Sequence, residues 1–162
     1  MLHVPYALIA LCLLGFVLSG YAYAVEQRAA AAKQLGHGYR AYCDIGPFSC
    51  TKVFSSDFGS ATQFFGLPKT SNAAVGMAFY AAEVLLCLGL VRRGGARGCV
   101  HRTCLLLLRL SSGLSVGVSA ALAYVLVFVL HDLCLVCCSI YVVNIATCVL
   151  CMRQRREAIK RD

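Results

Sequence analysis

Charge is what this sequence has least of. Only 14% of its 162 residues are Asp, Glu, Lys or Arg, while 60% are hydrophobic and the mean hydropathy is +0.75. Soluble domains of this size are only about half apolar, so the composition excludes one. The scarcity is local as well. Residues 4–25, 110–130 and 133–152 hold no charged side chain, and 73–91 hold only Glu83. Each run approaches the roughly 20 apolar residues that a membrane-spanning helix needs. An apolar lead-in from Cys104, broken by Arg109, extends the third run to 104–130. No internal repeat is present, which excludes a solenoid. No Asn-x-Ser/Thr sequon is present either, because Asn72 and Asn144 both lack the hydroxyl residue two places on.

What is there predicts an all-α membrane protein: a four-transmembrane-helix bundle, one domain over 1–162, with a cap loop at 26–71 between the first two spans. Helices satisfy every backbone group internally, as lipid demands. The formal charge of +8 does not point to nucleic acid. The basic residues sit at the ends of apolar runs rather than on one soluble face. Arg92, Arg93, Arg97 and Arg102 separate the second and third runs, and Arg153, Arg155, Arg156, Lys160 and Arg161 follow the fourth. Short basic loops stay cytoplasmic, which predicts cytoplasmic termini and places the 26–71 loop and the His131-Asp132 turn on the other side. The loop's own cations are spread out and partly offset by Glu26, Asp44 and Asp57. Ala22-Tyr23-Ala24 resembles a signal-peptide cleavage site. The first run is longer than a signal core, however, and no Lys or Arg precedes it, so an uncleaved anchor is expected.

Thiols carry the chemistry. Of 11 cysteines, Cys134 and Cys137 stand at the start of the fourth run with two residues between them. That gap places both sulfurs on one helical turn, close enough to join and part. The stripe Cys134, Cys137, Tyr141, Asn144, Cys148, Cys151 recurs at three- and four-residue steps, one face of a helix. A thiol at a helix N-terminus meets free N–H groups and the positive dipole end, which favours thiolate. Cys148 and Cys151 repeat the spacing at the wrong end and are expected to pack inertly or carry lipid. Cys43 and Cys50 enclose Gly46 and Pro47 in the loop. Such a pair is either a static disulfide or, beside a second redox pair, a relay by thiol–disulfide exchange. Zinc would need four ligands with knuckle spacing. The seven-residue offset of Cys43 and Cys50, with only His131 to assist, does not supply them, so no metal is expected.

The loop opens with an Ala-rich, helix-prone stretch at 26–35. Gly36, Gly38, Gly46 and Pro47 then punctuate it, and past Cys50 it gathers Phe54, Phe58, Phe64 and Phe65 before Pro68. These rings pack either a small core of the loop's own or a cap over the bundle mouth. Asn72 and Tyr141 are candidate hydrogen-bond donors to a carbonyl oxygen. Taken alone they read as a helix cap and an interfacial ring. Glu83 and Asn144 are buried polar groups inside spans, where such residues bond across helices or serve function. Arg109 can snorkel to water. His131-Asp132 is either a solvated turn or an acid–base pair.

Taken together, the outer Cys43 and Cys50, the Cys50-Thr-Lys-Val-Phe-Ser-Ser-Asp-Phe-Gly59 stretch, Ser71-Asn72, and Asp132-Leu-Cys-Leu-Val-Cys137 followed by Tyr141 resemble the vitamin K epoxide reductase family, from about Tyr39 to Met152. The resemblance implies an endoplasmic-reticulum membrane enzyme of the warfarin-sensitive type. Such an enzyme reduces vitamin K epoxide to quinone and quinone to hydroquinone. It holds no tightly bound cofactor and draws electrons from a thioredoxin-like lumenal donor. It implies Cys137 as the attacking thiolate and Cys134 as its resolving partner. Cys50 would exchange with Cys134, and Cys43 would accept electrons from the donor. Asn72 and Tyr141 would bind the ketone oxygens, and Phe54 and Phe58 would belong to the cap.

The sequence departs from the family pattern in the cap. One residue is missing between Cys43 and Cys50, the 59–71 segment is several residues shorter, and Phe58 stands where Trp is usual. These changes bear on cap closure, anticoagulant response and quinone choice. These residues include no thioredoxin-like stretch, so the donor is expected to be a separate protein. Two further readings fit the residues. One is a quinone-linked oxidase that forms disulfides in secretory proteins. The other is a non-enzymatic four-span scaffold with outer disulfides only for stability.

Overall fold

A computed structural model describes residues 3–56, 58–60, 70–92 and 99–159. Of the residues singled out above, Asp57, Phe64, Phe65, Pro68, Arg93, Arg97, Lys160 and Arg161 lie outside that set. The elements are α1 (His3–Gln34), α2 (Cys50–Phe54), α3 (Asn72–Arg92), α4 (Cys99–Tyr124), a π-helical turn (Val125–Val129) and α5 (Leu135–Ile159). Among the described residues, 4 helices are long and apolar enough to cross a membrane: α1, α3, α4 with its π turn, and α5. The chain is a four-helix membrane bundle capped at one end by the segment between α1 and α3.

The first span and the Ala-rich stretch after it form one helix, so α1 extends well past the apolar run and projects into the cap. It stops at Gly36, whose φ is +71. There the His37 N–H donates to the Ala32 carbonyl at 2.9 Å and the Gly36 N–H to the Lys33 carbonyl at 3.3 Å. This left-handed ending satisfies two orphan carbonyls and suits glycine. At the head of α3 the cap is Ser71, whose Oγ accepts from the Ala73 N–H at 3.1 Å. The cap at this helix is thus Ser71 rather than Asn72, the residue that the sequence alone offered for it. The third span ends in a π turn, closed by the Leu130 N–H to the Val125 carbonyl at 3.0 Å. Such turns recur at functional sites.

α3 packs most closely on α1, antiparallel to it, through small residues. A Cβ on Gly15 would overlap the Tyr80 ring, and one on Gly76 would lie 2.8 Å from Ser19 Oγ. Small residues allow such close approach where lipid removes the hydrophobic drive between helices. Polar bonds complete the bundle. The Tyr80 hydroxyl donates to Asn144 Oδ1 at 2.7 Å, and Asn144 Nδ2 donates to Ser119 Oγ at 2.8 Å. Ser111 Oγ donates to Glu83 Oε1 at 2.7 Å. Asn144 thus links α5 to α3 and α4, and Glu83 gains partners that its sequence position alone does not identify. At the capped end, Ala22 and Val25 of α1 share one core with Ala41, Cys43, Cys50 and Val53 of the cap and with Leu126, Cys134 and Val136.

Candidate functional site

The cap loop is folded around its own disulfide. Cys43 and Cys50 are joined, with Cα atoms 5.9 Å apart. The intervening turn passes through Gly46 at φ +58, a backbone state open to glycine and strained for most residues. Asp44 staples this loop. Its Oδ1 accepts the Thr51 N–H at 3.0 Å, and its Oδ2 accepts the Thr51 hydroxyl at 2.6 Å and the Ala41 N–H at 3.2 Å. Partial burial pushes the Asp44 carboxyl up, but the bonds from Thr51 and Ala41 outweigh it and hold the group below the usual carboxylate range. Cys43, Asp44 and Cys50 also stand close enough together to suggest a metal cluster. With the two sulfurs bonded to each other, they do not offer two thiolates.

The loop is then held against the head of α5. Phe48 bridges to Leu133, and the Ser49 N–H donates to the Leu133 carbonyl at 2.8 Å. Lys52 Nζ stands 3.5 Å from Asp132. These contacts bring Cys50 Sγ to 3.6 Å from Cys134 Sγ, with both residues buried. Cys134 does not lie within the helix, as a span beginning at 133 would have it. It caps the helix. Its carbonyl accepts the Cys138 N–H at 3.0 Å, and its Sγ accepts the Cys137 N–H at 3.3 Å. The sulfur occupies the place that a serine or aspartate oxygen usually takes at an N-cap. Cys134 and Cys137 are both free thiols.

Cys137 also packs against the core at the capped end and lines a cavity of about 460 Å³ between the helices and the cap. Phe54, Phe58, Asn72, Cys137 and Tyr141 line its upper part. Asn72 Nδ2 donates to the Phe58 carbonyl at 2.7 Å and so ties the head of α3 to the cap. The Tyr141 hydroxyl has no hydrogen-bond partner among the described residues and belongs to the cavity wall. All eight residues predicted for the site are therefore gathered at one end of the bundle. Cys43, Cys50 and Cys134 form a row of neighbouring sulfurs, and Cys137, Asn72, Tyr141, Phe54 and Phe58 line the cavity beside it. His131 is exposed, at φ 53, and neither it nor Asp132 lines the cavity. That doublet is a turn with an ion pair.

Sequence reasoning missed part of the lining. Glu26 reaches the cavity and is hydrogen-bonded by Ser71. Tyr80, Ser111, Ser115 and Ser119 line its deeper half. The serines' four-residue spacing in the third span was a usable signal for one wall. Glu26, at the end of an apolar run, looked like an ordinary boundary charge.

Comparison with known proteins agrees with this geometry. The model of the vitamin K epoxide reductase family matches residues 6–152. Vitamin K epoxide reductase complex subunit 1 of Mus musculus is 37% identical over 158 residues, covering 92% of this chain and 89% of that protein. The Rattus norvegicus protein of the same name is 39% identical over 148 residues, covering 84% of this chain and 81% of that protein. Two buried sulfurs in line at a capped bundle mouth, a third facing a cavity, and likeness over nearly the whole chain lead to one assignment: this is a multi-pass membrane protein of the vitamin K epoxide reductase family.

Proposed function

We propose that the chain is a thiol oxidoreductase that reduces vitamin K epoxide to the quinone and the quinone to the hydroquinone. The observation that carries this reading is the division of labour between two neighbouring thiols. Cys137 faces the cavity, while Cys134 lies 3.6 Å from Cys50 of the loop disulfide.

The Cys137 thiolate attacks the substrate ring and opens the epoxide. The Cys134 sulfur then attacks Cys137 and displaces the ring, so that a Cys134–Cys137 disulfide forms. Two thiols lose two electrons and two protons, and the epoxide oxygen leaves as water. In the quinone step the same electrons and protons give the hydroquinone. Asn72 and Tyr141 donate hydrogen bonds to the ketone oxygens, where negative charge builds in the transition state, and each such donor is worth about 2.7–4 kcal/mol. Phe54 and Phe58 close the cavity against water, and warfarin would compete for the same space. Cys50 thiolate recharges the pair by attacking Cys134, and Cys43 resolves the mixed disulfide. A thioredoxin-like donor then reduces Cys43–Cys50. In that cycle a bridged loop beside free Cys134 and Cys137 is the charged stage. The capped end would face the lumen of the endoplasmic reticulum, with both termini cytoplasmic, and no bound cofactor takes part.

The test is turnover of vitamin K epoxide by the purified full-length protein in detergent, with dithiothreitol as reductant and chromatographic measurement of the quinone. Quinone should appear with the wild type and not with Cys137→Ala. Absence of epoxide consumption, or full turnover by Cys137→Ala, would sink the reading. Ready reduction of ubiquinone or menaquinone without epoxide consumption would redirect it to a quinone-linked disulfide oxidase.

A further inference from the structure

A second group of thiols lies in the membrane interior, apart from the site at the cap. The seam between α1 and α3 runs in a strict antiparallel register. Ser19 meets Gly76, and Gly15 receives the Tyr80 ring. One turn further, Cys12 Sγ donates to Glu83 Oε2 at 3.5 Å. The next position of α3 on that face is Cys87, which packs with Leu8, one turn before Cys12. Cys87 thus lies one turn beyond Glu83 on the same face of α3, beside Leu8 and next to Cys12. Cys12 and Cys87 are both 0% exposed and Glu83 is 1% exposed. The glycines at 15 and 76 let the two backbones close up, which a bridge between helices requires, because a disulfide needs Cα atoms roughly 4.4–6.8 Å apart.

We propose that Cys12 and Cys87 are a second redox-active dithiol, which closes into a disulfide that pins α1 to α3 when a lipid-dissolved quinone oxidises it. Two S–H bonds break and one S–S bond forms. Two electrons and two protons pass to the quinone, which becomes the hydroquinone. Glu83 is placed to take the Cys12 proton on the way, since its other oxygen is held by Ser111. Ser111 and Tyr80 both line the deep half of the cavity, so the dithiol lies one side chain behind a largely apolar space. Water-soluble reductants have no route to it. The bridge would therefore outlast the loop disulfide in a reducing buffer and fix the width of the cavity along its α1–α3 wall. The proposal rests on the reading above only for the chemical class of the oxidant.

The experiment uses the full-length protein in lipid nanodiscs, incubated with a tail-less naphthoquinone or, in a second arm, with diamide. A water-soluble phosphine follows, then denaturation, alkylation and peptide mapping. The expected result is a Cys12–Cys87 cross-linked peptide in both arms, resistant to the phosphine until denaturation, while Cys43–Cys50 is reduced at once. Cys87→Ser should abolish the cross-link and leave Cys12 free to alkylate. Full alkylation of Cys12 and Cys87 in both arms would overturn the proposal, and so would a bridge with diamide alone or a quinone adduct on Cys12 without a bridge. Epoxide turnover in the same nanodiscs reports separately on Cys134 and Cys137, so failure of one reading is not mistaken for failure of the other.

Discussion

The two ends of α5 carry the same motif in different surroundings. Cys134 and Cys137 stand at its head and Cys148 and Cys151 nearer its tail, each pair with two residues between. At the head, the first sulfur caps free N–H groups, lies 3.6 Å from a disulfide sulfur and leaves its partner facing a cavity. Nearer the tail, Cys151 is buried among Leu8, Cys87, Leu90 and Leu108, and Cys148 is half-buried. A helix offers hydrogen-bond donors at its start and carbonyls at its end, so only the first pair has help in forming thiolate. Spacing makes a dithiol geometrically possible. Position on the helix, a neighbouring sulfur and a cavity are what the proposed redox role adds to it.

Three substitutions at the head sharpen this contrast, in falling order of effect. Cys137→Ala removes the sulfur proposed to attack the substrate and should lower kcat/KM for the epoxide by at least about a thousandfold, measured as quinone formed per enzyme. Tyr141→Phe keeps the ring and deletes one donor. Its kcat should fall about a hundredfold with little change in KM, the pattern of an interaction made mainly in the transition state. A large rise in KM at constant kcat would instead make Tyr141 a simple contact. Asp44→Ala strikes the relay rather than the pocket. It strands the Thr51 N–H at a cost of about 1–3 kcal/mol and leaves the Ala41 N–H with the Thr51 hydroxyl alone, and Cys50 loses its fixed approach to Cys134. Recharging of the pair by the loop should slow, while turnover driven directly by dithiothreitol should hold better.

The staple also has a pH signature with a definite sign. The folded Asp44 carboxyl titrates below its ordinary value, so its contribution is complete above the ordinary carboxylate range and is lost as pH falls through the depressed folded value. Loop stability, followed by hydrogen exchange at Ala41 and Thr51, should be flat through neutral pH and fail only in acid. Failure already near pH 6 would mean that a different group holds the loop.

Much of this was legible because membrane constraints are blunt. Four apolar runs, three of them uncharged, and two basic clusters forecast four spans, and the described helices agree within a few residues at most ends. α1 overran its apolar stretch because 26–35 is rich in Ala, and helix propensity needs no lipid to continue. Cys134 fell outside the helix because boundaries are set by capping bonds, and a sulfur in the capping role leaves no trace in hydropathy. The pocket's upper residues could be named from motifs. Its deep wall could not, since Glu83 with Ser111, and Tyr80 with Asn144, are pairings between helices whose relative rotation the sequence does not encode. For the same reason the pairing of Cys12 with Cys87 was invisible, two cysteines among many in greasy segments.

The smallest predicted effect bears hardest on the comparison. Cys148→Ala and Cys151→Ala should each leave epoxide turnover within about twofold of wild type, because neither sulfur touches the cavity or the relay. They should separate in stability. Cys151 is 2% exposed, so its loss opens a small void that costs about 1 kcal/mol, while half-buried Cys148 should cost less. Thermal unfolding in detergent would read the difference. If instead the pair were redox-active, the double variant would lose turnover with little loss of stability, and Cys148 and Cys151 would resist alkylation in untreated protein. That outcome would mean that two residues between cysteines suffice at either end of a membrane helix, and that the capping bond at Cys134 contributes nothing to its reactivity.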